Sequence, residues 1–402
     1  SYSDGGPTYI DANYEGPGIT CNSGETWNTQ LYFLRVINGA GYKGGGAYIS
    51  NSSPYIAACT FSHCKAMYGG GMYIEGGHPL IASFFKNNKA EQAGGGIYAH
   101  GGAEIEMFYT SIRNCSAETG GGMFLSDTTV NLEYAEIKLN NASSAGGGIY
   151  AFDSDINLKE SDFYKNFGYR GGGIYGSECT LIETGSQFSD NGAYYLGGGL
   201  YFDYSAITMD GTSFVHNKAT QGGGLFVSHG TLQMTHCGMV SNGAYIGGGA
   251  VIKADLAELS ACAFSQNQSH ANGAGLLSAG EQVFIDGCMF TQNNAQTTAG
   301  AIFYGGPSST EVTNSIFCAN TPNNFDGQEV ATLSYNDGTT FMESCPECPG
   351  DVDGDGDIDM DDLIALLESI GATGAHPADV DGNGIVDYDD LVELAQSLGG
   401  SC

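Results

Sequence analysis

Runs of three glycines recur along most of this chain at a nearly fixed interval. Triplets begin at Gly44, Gly69, Gly94, Gly120, Gly146, Gly171, Gly197, Gly222 and Gly247, always 25 or 26 residues apart. The interval continues in degraded form at Gly273-Ala274-Gly275 and Thr298-Ala299-Gly300. A unit this short cannot bury a core of its own. It is stable only against its neighbours, so the chain is expected to stack as a solenoid. Collagen is excluded, because the 64 glycines lack a three-residue period.

A second motif keeps the same register: a large apolar residue followed three positions later by Asn. The pairs are Phe84/Asn87, Ile137/Asn140, Phe163/Asn166, Phe188/Asn191, Phe214/Asn217, Met239/Asn242, Phe264/Asn267, Phe290/Asn293 and Phe317/Asn320. Phe61/Cys64 and Ile112/Cys115 keep the spacing with Cys, and Arg35/Asn38 begins the series in an atypical first coil. Short alternating segments follow each triplet (Met72-Tyr73-Ile74) and precede each motif (Ile156-Asn157-Leu158). Alternation with period two predicts strands. A coil of 25 or 26 residues has no length for a crossover helix beside them, so two or three short strands joined by tight turns are expected. Glycine permits positive φ and close backbone approach. Asn suits tight turns, and stacked Asn side chains can hydrogen-bond in a column. About eleven coils at roughly 4.8 Å give a rod about 50 Å long.

The paired motifs resemble the repeats of the chlamydial polymorphic outer-membrane proteins, whose signature couples Gly-Gly-Ala-aliphatic to Phe-x-x-Asn. The likeness spans residues 35 to 320. It implies an all-β, right-handed parallel β-helix with an adhesive or surface-display role. Those relatives end in a membrane-inserted barrel, whereas the C-terminus here does not fit one, so self-anchoring in a membrane is not expected. The domains expected are an N-terminal cap (1–32), the β-helix (33–320), a closing segment and linker (321–347) and a C-terminal module (348–402).

If the aliphatic residue after each triplet points inward, the next points out. That outward position reads Tyr48, Tyr73, Tyr98, Phe124, Tyr150, Tyr175, Tyr201 and Phe226 over eight coils. Such a column can stabilise a sheet face by cross-strand stacking. It can equally be a contact stripe for another copy of the protein or for a sugar polymer. Cys237, Cys262 and Cys288 form a shorter column, expected to point inward, as buried thiols or with two of them bridged.

The C-terminal segment carries different chemistry. Asp351, Asp353, Asp355, Asp357 through its carbonyl, Asp359 and Asp362 occupy positions 1, 3, 5, 7, 9 and 12 of a calcium loop, with Gly356 at the turn. A second loop offers Asp379, Asp381, Asn383, the Ile385 carbonyl, Asp387 and Asp390. An apolar-periodic segment follows each loop and ends at Gly371 or Gly399, which predicts two short helices. From 350 to 402 there are 14 acidic residues and no Lys or Arg, so two calcium ions are expected to be needed for folding. Together with Cys348-Pro349-Gly350-Asp351, the segment resembles a type I dockerin. That resemblance implies calcium-dependent docking onto a cohesin-like or scaffold partner. It also implies that the module's ends meet, so a Cys348–Cys402 disulfide is expected, with Cys345 tying the linker to the last coil.

The formal charge of -33 argues against nucleic acid and anionic membranes as partners. A start at Ser1, cysteines and the module's likeness together point to a secreted, extracellular or cell-surface protein. The expected function is structural or adhesive, with other copies, a scaffold or cell-surface glycans as partners. The alternative is a polysaccharide lyase or hydrolase on the same rod. Its catalytic candidates, Asp153, Asp155, Glu183, Asp203 and Asp210, are chosen by abundance alone, and no catalytic residue is assigned.

Overall fold

The computed structural model describes residues 8–306, 308–328, 332–336 and 338–342. In the C-terminal part it describes Asp362, Leu366, Ser369, Ile370, Ala372, Ala378, Val380, Ile385 and Val386. The chain divides into two compact units, Ser1–Met342 and Glu343–Cys402.

The first unit is a parallel β-helix. The strand after each glycine triplet, such as Ile149–Phe152, lies beside its counterpart one coil on, Ile174–Ser177, and then beside the start of Leu200–Asp210. A second face stacks Asp155–Lys159 on Thr180–Thr184, and a third stacks Asp162–Tyr164 on Gln187–Ser189. Register is strict, so Ile149, Ile174 and Leu200 meet, as do Tyr150, Tyr175 and Tyr201. Between the third and first faces runs a side sheet of seven short strands, from Ala40–Lys43 to Gly192–Leu196. It continues through bridges at Lys218 into three two-residue strands, the last being Asn294–Ala295.

The core is a set of rows. Inward positions of the first face (Met72, Ile97, Met123, Ile149) and of the second (Ile105, Val130, Ile156, Leu181) are fully buried. On the third face the motif phenylalanines stack ring on ring, with centroids 4.6–5.1 Å apart, as at Phe163–Phe188–Phe214 and Phe264–Phe290–Phe317. Strand spacing sets that separation, and it is favourable for offset stacking.

The stack has about 13 turns rather than about eleven. Thr8–Asp11, Ile19–Cys21 and Gln30–Tyr32 form a coil beneath the first expected one. Phe325–Gly327, Thr332–Tyr335 and Thr340–Met342 form another at the far end. Neither terminal coil carries the glycine triplet with its Phe-x-x-Asn partner. Backbone pairing and alternation are sufficient to add a strand, so the motifs undercount the coils.

Three register readings are corrected. The buried phenylalanine of the third coil is Phe85, while Phe84 is 49% exposed, so the row contains Asn88 and not Asn87. Asn87 takes the neighbouring left-handed turn position, with φ 56°, where later coils place Leu139, Lys165, Asp190 and His216. In the first motif coil Val36 pairs with Phe61, so Val36/Gly39 replaces Arg35/Asn38. At the far end Ile302 lies beside Leu276 and Phe303 beside Leu277, one residue later than the Thr298-Ala299-Gly300 reading places them. At Phe84-Phe85 and Asn87-Asn88 two adjacent residues both fit the motif chemically and only burial separates them.

In the second unit, Asp362, Leu366 and Ser369 are helical, as expected after the first loop. Leu366, Ala378 and Val386 are fully buried, and the Val386 N–H donates to the Ala372 carbonyl at 2.9 Å.

Candidate functional site

The Asn row is continuous from Asn140 through Asn166, Asn191, Asn217, Asn242, Asn267 and Asn293 to Asn320. Asn217 illustrates the pattern. Its Oδ1 accepts the Asn191 backbone N–H at 2.9 Å and the Asn191 amide at 3.1 Å. Its own amide donates to the Phe188 carbonyl at 2.7 Å and to Asn242 Oδ1 at 3.0 Å. Each Asn thus ties its coil to the coils on both sides. Cys64 and Cys115 occupy the row in earlier coils, where their N–H groups donate to Asn88 and Asn140. The corner between second and third faces holds a further row, which includes Cys59, Ser83, Thr110, Ser161, Ser186, Cys262, Cys288 and Ser315. There the backbone N–H of one coil donates to the side chain of the next, as Ser161 to Ser186 at 3.0 Å and Cys262 to Cys288 at 3.3 Å.

Eight cysteines, including Cys237, Cys262 and Cys288, are reduced and buried. Burial pushes Cys64 and Cys179 up to about 11 and Cys115 to about 12, so none of these three supplies thiolate at neutral pH. Cys318 is disulfide-bonded. Cys345, Cys348 and Cys402 lie outside the described residues.

The aromatic column is in the expected register but is not an exposed stripe. Tyr73, Tyr201 and Phe226 are buried, and Tyr48, Tyr98, Phe124, Tyr150 and Tyr175 are half-buried. Successive rings stack at 4.8–5.7 Å, and the far part of the column packs against Leu196 and Ile246 of the side sheet. Rings one coil apart cover one another's faces, which leaves mostly edges to solvent. Burial pushes the Tyr98 and Tyr201 hydroxyls up to about 12.

The exposed rings lie elsewhere, on the side sheet: Tyr194 is 69% exposed and Tyr245 58%, with Phe167 and Tyr169 beside them. Tyr245 lines one open groove, Phe167 and Tyr194 line a second, and the two share Lys218, Ala219 and Thr220. Sequence reading passed over these residues because they fall in what looks like turn. Tyr169 and Tyr194, 25 residues apart, nevertheless share the triplet period. A third groove, at the corner of first and second faces, is lined by Glu104, Asp127, Asp153, Asp155 and Glu178.

Of the catalytic candidates, Asp203 and Asp210 are engaged with His229 and His236 at 2.9 and 3.0 Å. Glu183 points inward in the row Leu158–Glu183–Met209 and is only 1% exposed. One carboxylate oxygen accepts the Ser186 N–H at 2.6 Å, and the other is buried without a hydrogen-bond partner. Burial pushes its pKa up to about 7. With the folded value above the unfolded one, its contribution is fully present below about pH 4.5 and is lost as pH rises through about 7. The loss amounts to about 3 kcal/mol. Glu183→Gln keeps an acceptor for Ser186 and cannot ionise. The variant is therefore expected to melt higher than the parent at pH 8 and level with it at pH 4.5, as thermal unfolding at the two pH values will test.

Of the calcium positions, Asp362 and Ile385 are described; Asp351, Asp353, Asp355, Asp357, Asp359, Asp379, Asp381, Asn383, Asp387 and Asp390 lie outside the described residues. Asp362 is helical and fully buried. Among the described residues, no group of three or more acidic, His or Cys side chains is placed to hold a metal, and no helix is long and apolar enough to cross a membrane.

Comparison with known proteins yields no match to a curated protein and none to a solved structure. A family model described as a right handed beta helix region matches residues 17–252, more than half of the chain. That span covers the glycine triplets, the aromatic column and the Asn row as far as Asn242. The chain belongs to the right-handed β-helix family.

Proposed function

We propose that this is a secreted structural or adhesive protein, a β-helical rod that self-assembles or is docked into an extracellular filament, surface layer or scaffold through a calcium-dependent C-terminal module. The regularity of the rod carries this reading. Triplets stay 25 or 26 residues apart from Gly44 to Gly247, which leaves no length between these coils for the long loops that would wall a catalytic cleft. Among the catalytic candidates, Glu183 faces the core, which removes it from any surface pair of carboxylates.

In the module, Asp351, Asp353, Asp355, Asp357, Asp359 and Asp362 would hold one ion, and Asp379, Asp381, Asn383, Ile385, Asp387 and Asp390 a second. Bound calcium would neutralise a segment with no Lys or Arg and order it for a cohesin-like or scaffold partner. Chelation of the full chain is expected to abolish the helical part of the circular dichroism and leave the strand signal unchanged. Equal spectra with and without chelator would remove the calcium module from the proposal. Negative-stain imaging is expected to show assemblies with calcium and single rods without it. Single rods under both conditions at high concentration, together with no retention on cell walls, would overturn the structural reading.

A further inference from the structure

We infer that the side sheet between Phe167 and Gln296 is a binding groove for an uncharged polysaccharide. The inference deepens the adhesive reading proposed above and rests on it, but it assigns the contact to a different face from the aromatic column. That column is buried or half-buried by its own stacking, whereas Tyr194 and Tyr245 of the side sheet are more than half exposed. The third position of the side-sheet strands is Tyr42 and Met67 in the first two coils, polar at Glu91, Glu118 and Ser143, and then Tyr169, Tyr194, Thr220 and Tyr245, where rings and a hydroxyl follow one another. Tyr169 and Tyr194 stack at 5.5 Å, and Tyr194 and Tyr245 are more than half exposed.

Small residues interrupt the floor beside these rings. In register along it stand Phe167, Gly192, Lys218, Gly243 and Gln268. Of the two glycines, Gly192 is covered by the Phe167 ring, 3.1 Å from where a Cβ would stand, and Gly243 leaves room for a ligand. At Gly243 even an added Cβ would meet nothing nearer than the Lys218 stem at 4.0 Å. The lining mixes donors and acceptors: Thr220, Gln268, Asn294 and Gln296 offer neutral amides and a hydroxyl, with Lys218 and His270 between them.

Charge selects the class of ligand. The chain holds 45 acidic and 12 basic residues, yet the groove around Tyr245 has no carboxylate in its lining, and the adjoining groove around Tyr194 has one, Asp190, which is paired with Lys165 at 4.0 Å. A polyanion would meet the repulsion of the whole molecule, and a polycation would be drawn to the acidic corner groove. Exposed tyrosine rings, a side-chain type that stacks on the C–H faces of sugar rings, and neutral hydrogen-bonding groups suit an uncharged glycan. Such a chain can lie along the rod axis, where contacts repeat at the coil spacing of roughly 4.8 Å.

The test uses the calcium-loaded full chain and retention on cell walls, on insoluble cellulose, chitin, xylan and mannan, and on polygalacturonate. The parent is expected to be retained by at least one uncharged polymer, with retention little changed by salt. Tyr194→Ala/Tyr245→Ala is expected to weaken this by about tenfold or more, as loss of aromatic anchors does. Tyr109→Ala, which removes an exposed ring outside the side sheet, should leave it unchanged. Equal retention of the double variant, or retention on polygalacturonate alone, would overturn the groove. If cell walls retain the protein but no uncharged polymer does, the groove falls and the adhesive reading stands. If cell walls do not retain it either, the adhesive reading falls with it.

Discussion

Gly198→Ala should unfold the middle of the rod or prevent soluble expression, a loss above about 4 kcal/mol. Gly198 is the second residue of its triplet. A Cβ there would sit 2.2 Å from the Gly223 carbonyl oxygen and 2.7 Å from both the nitrogen and the oxygen of Lys218. All three are backbone atoms, so no side-chain rotation relieves the overlap. Relief requires the coils to part, which stretches bonds such as Gly198 N–H to Gly222 O at 3.1 Å and Gly199 N–H to Gly224 O at 2.9 Å. Gly238→Ala is the matched control: nothing lies within 4 Å of its Cβ, and its neighbour one coil on is Ala263. That variant should be neutral or more stable by a few tenths of a kcal/mol, through lower entropy of the unfolded chain. Denaturant midpoints of the two variants measure the contrast. Ala274 occupies the same triplet position near the far end. That coil accommodates the methyl, with Ala274 fully buried, although the equivalent positions of the coils on either side are crowded by backbone: a Cβ at Gly248 would lie 2.5 Å from the Gln268 carbonyl oxygen and one at Gly300 2.5 Å from the Thr321 carbonyl oxygen.

The features legible in the sequence were those that repeat because stacking makes them repeat. Triplets, Phe-x-x-Asn and post-triplet aromatics each mark one place on the coil, so coil architecture and parallel register follow from their spacing. Burial was less legible. Tyr73 and Tyr201 alternate outward like any exposed strand residue, and only the covering by rings above and below removes them from solvent. Phe84 and Phe85 are chemically identical, so their roles are set by the position of the corner, one residue from the expected register. Glu183 reads as a surface acid in a five-residue strand, yet it occupies the inward position of Leu158 and Met209. The side-sheet tyrosines share the period with everything else, but short strands of two to five residues carry too little alternation to announce a face.

Asn217→Ala should cost about 4 kcal/mol, the largest effect expected from removing one polar side chain. The substitution leaves the Asn191 backbone N–H and one Asn191 amide hydrogen without acceptors, and it leaves the Phe188 carbonyl and Asn242 Oδ1 each short of a donor. Asn191, Asn217 and Asn242 are all at most 1% exposed, so water cannot take over these bonds. Each orphaned buried group costs roughly 1–3 kcal/mol, and four groups with partial relaxation give the figure stated. Asn157→Ala is the internal comparison, since Asn157 also bonds an Asn one coil away, Asn131 at 2.7 Å, but at a partly solvated outward position. Its cost should stay below about 1 kcal/mol, because solvent replaces what is lost. Asn217→Cys should fall between the two, since Cys64 and Cys115 occupy the row in their own coils while the amide of the following coil still accepts their N–H. Because stability in a solenoid is carried by contacts between neighbouring coils, hydrogen exchange at Asn191 and Gly192 should quicken in Asn217→Ala while that of the coils around Ile97 stays slow. Equal denaturant midpoints for Asn217→Ala and Asn157→Ala would mean that the buried amide row does not hold the coils together.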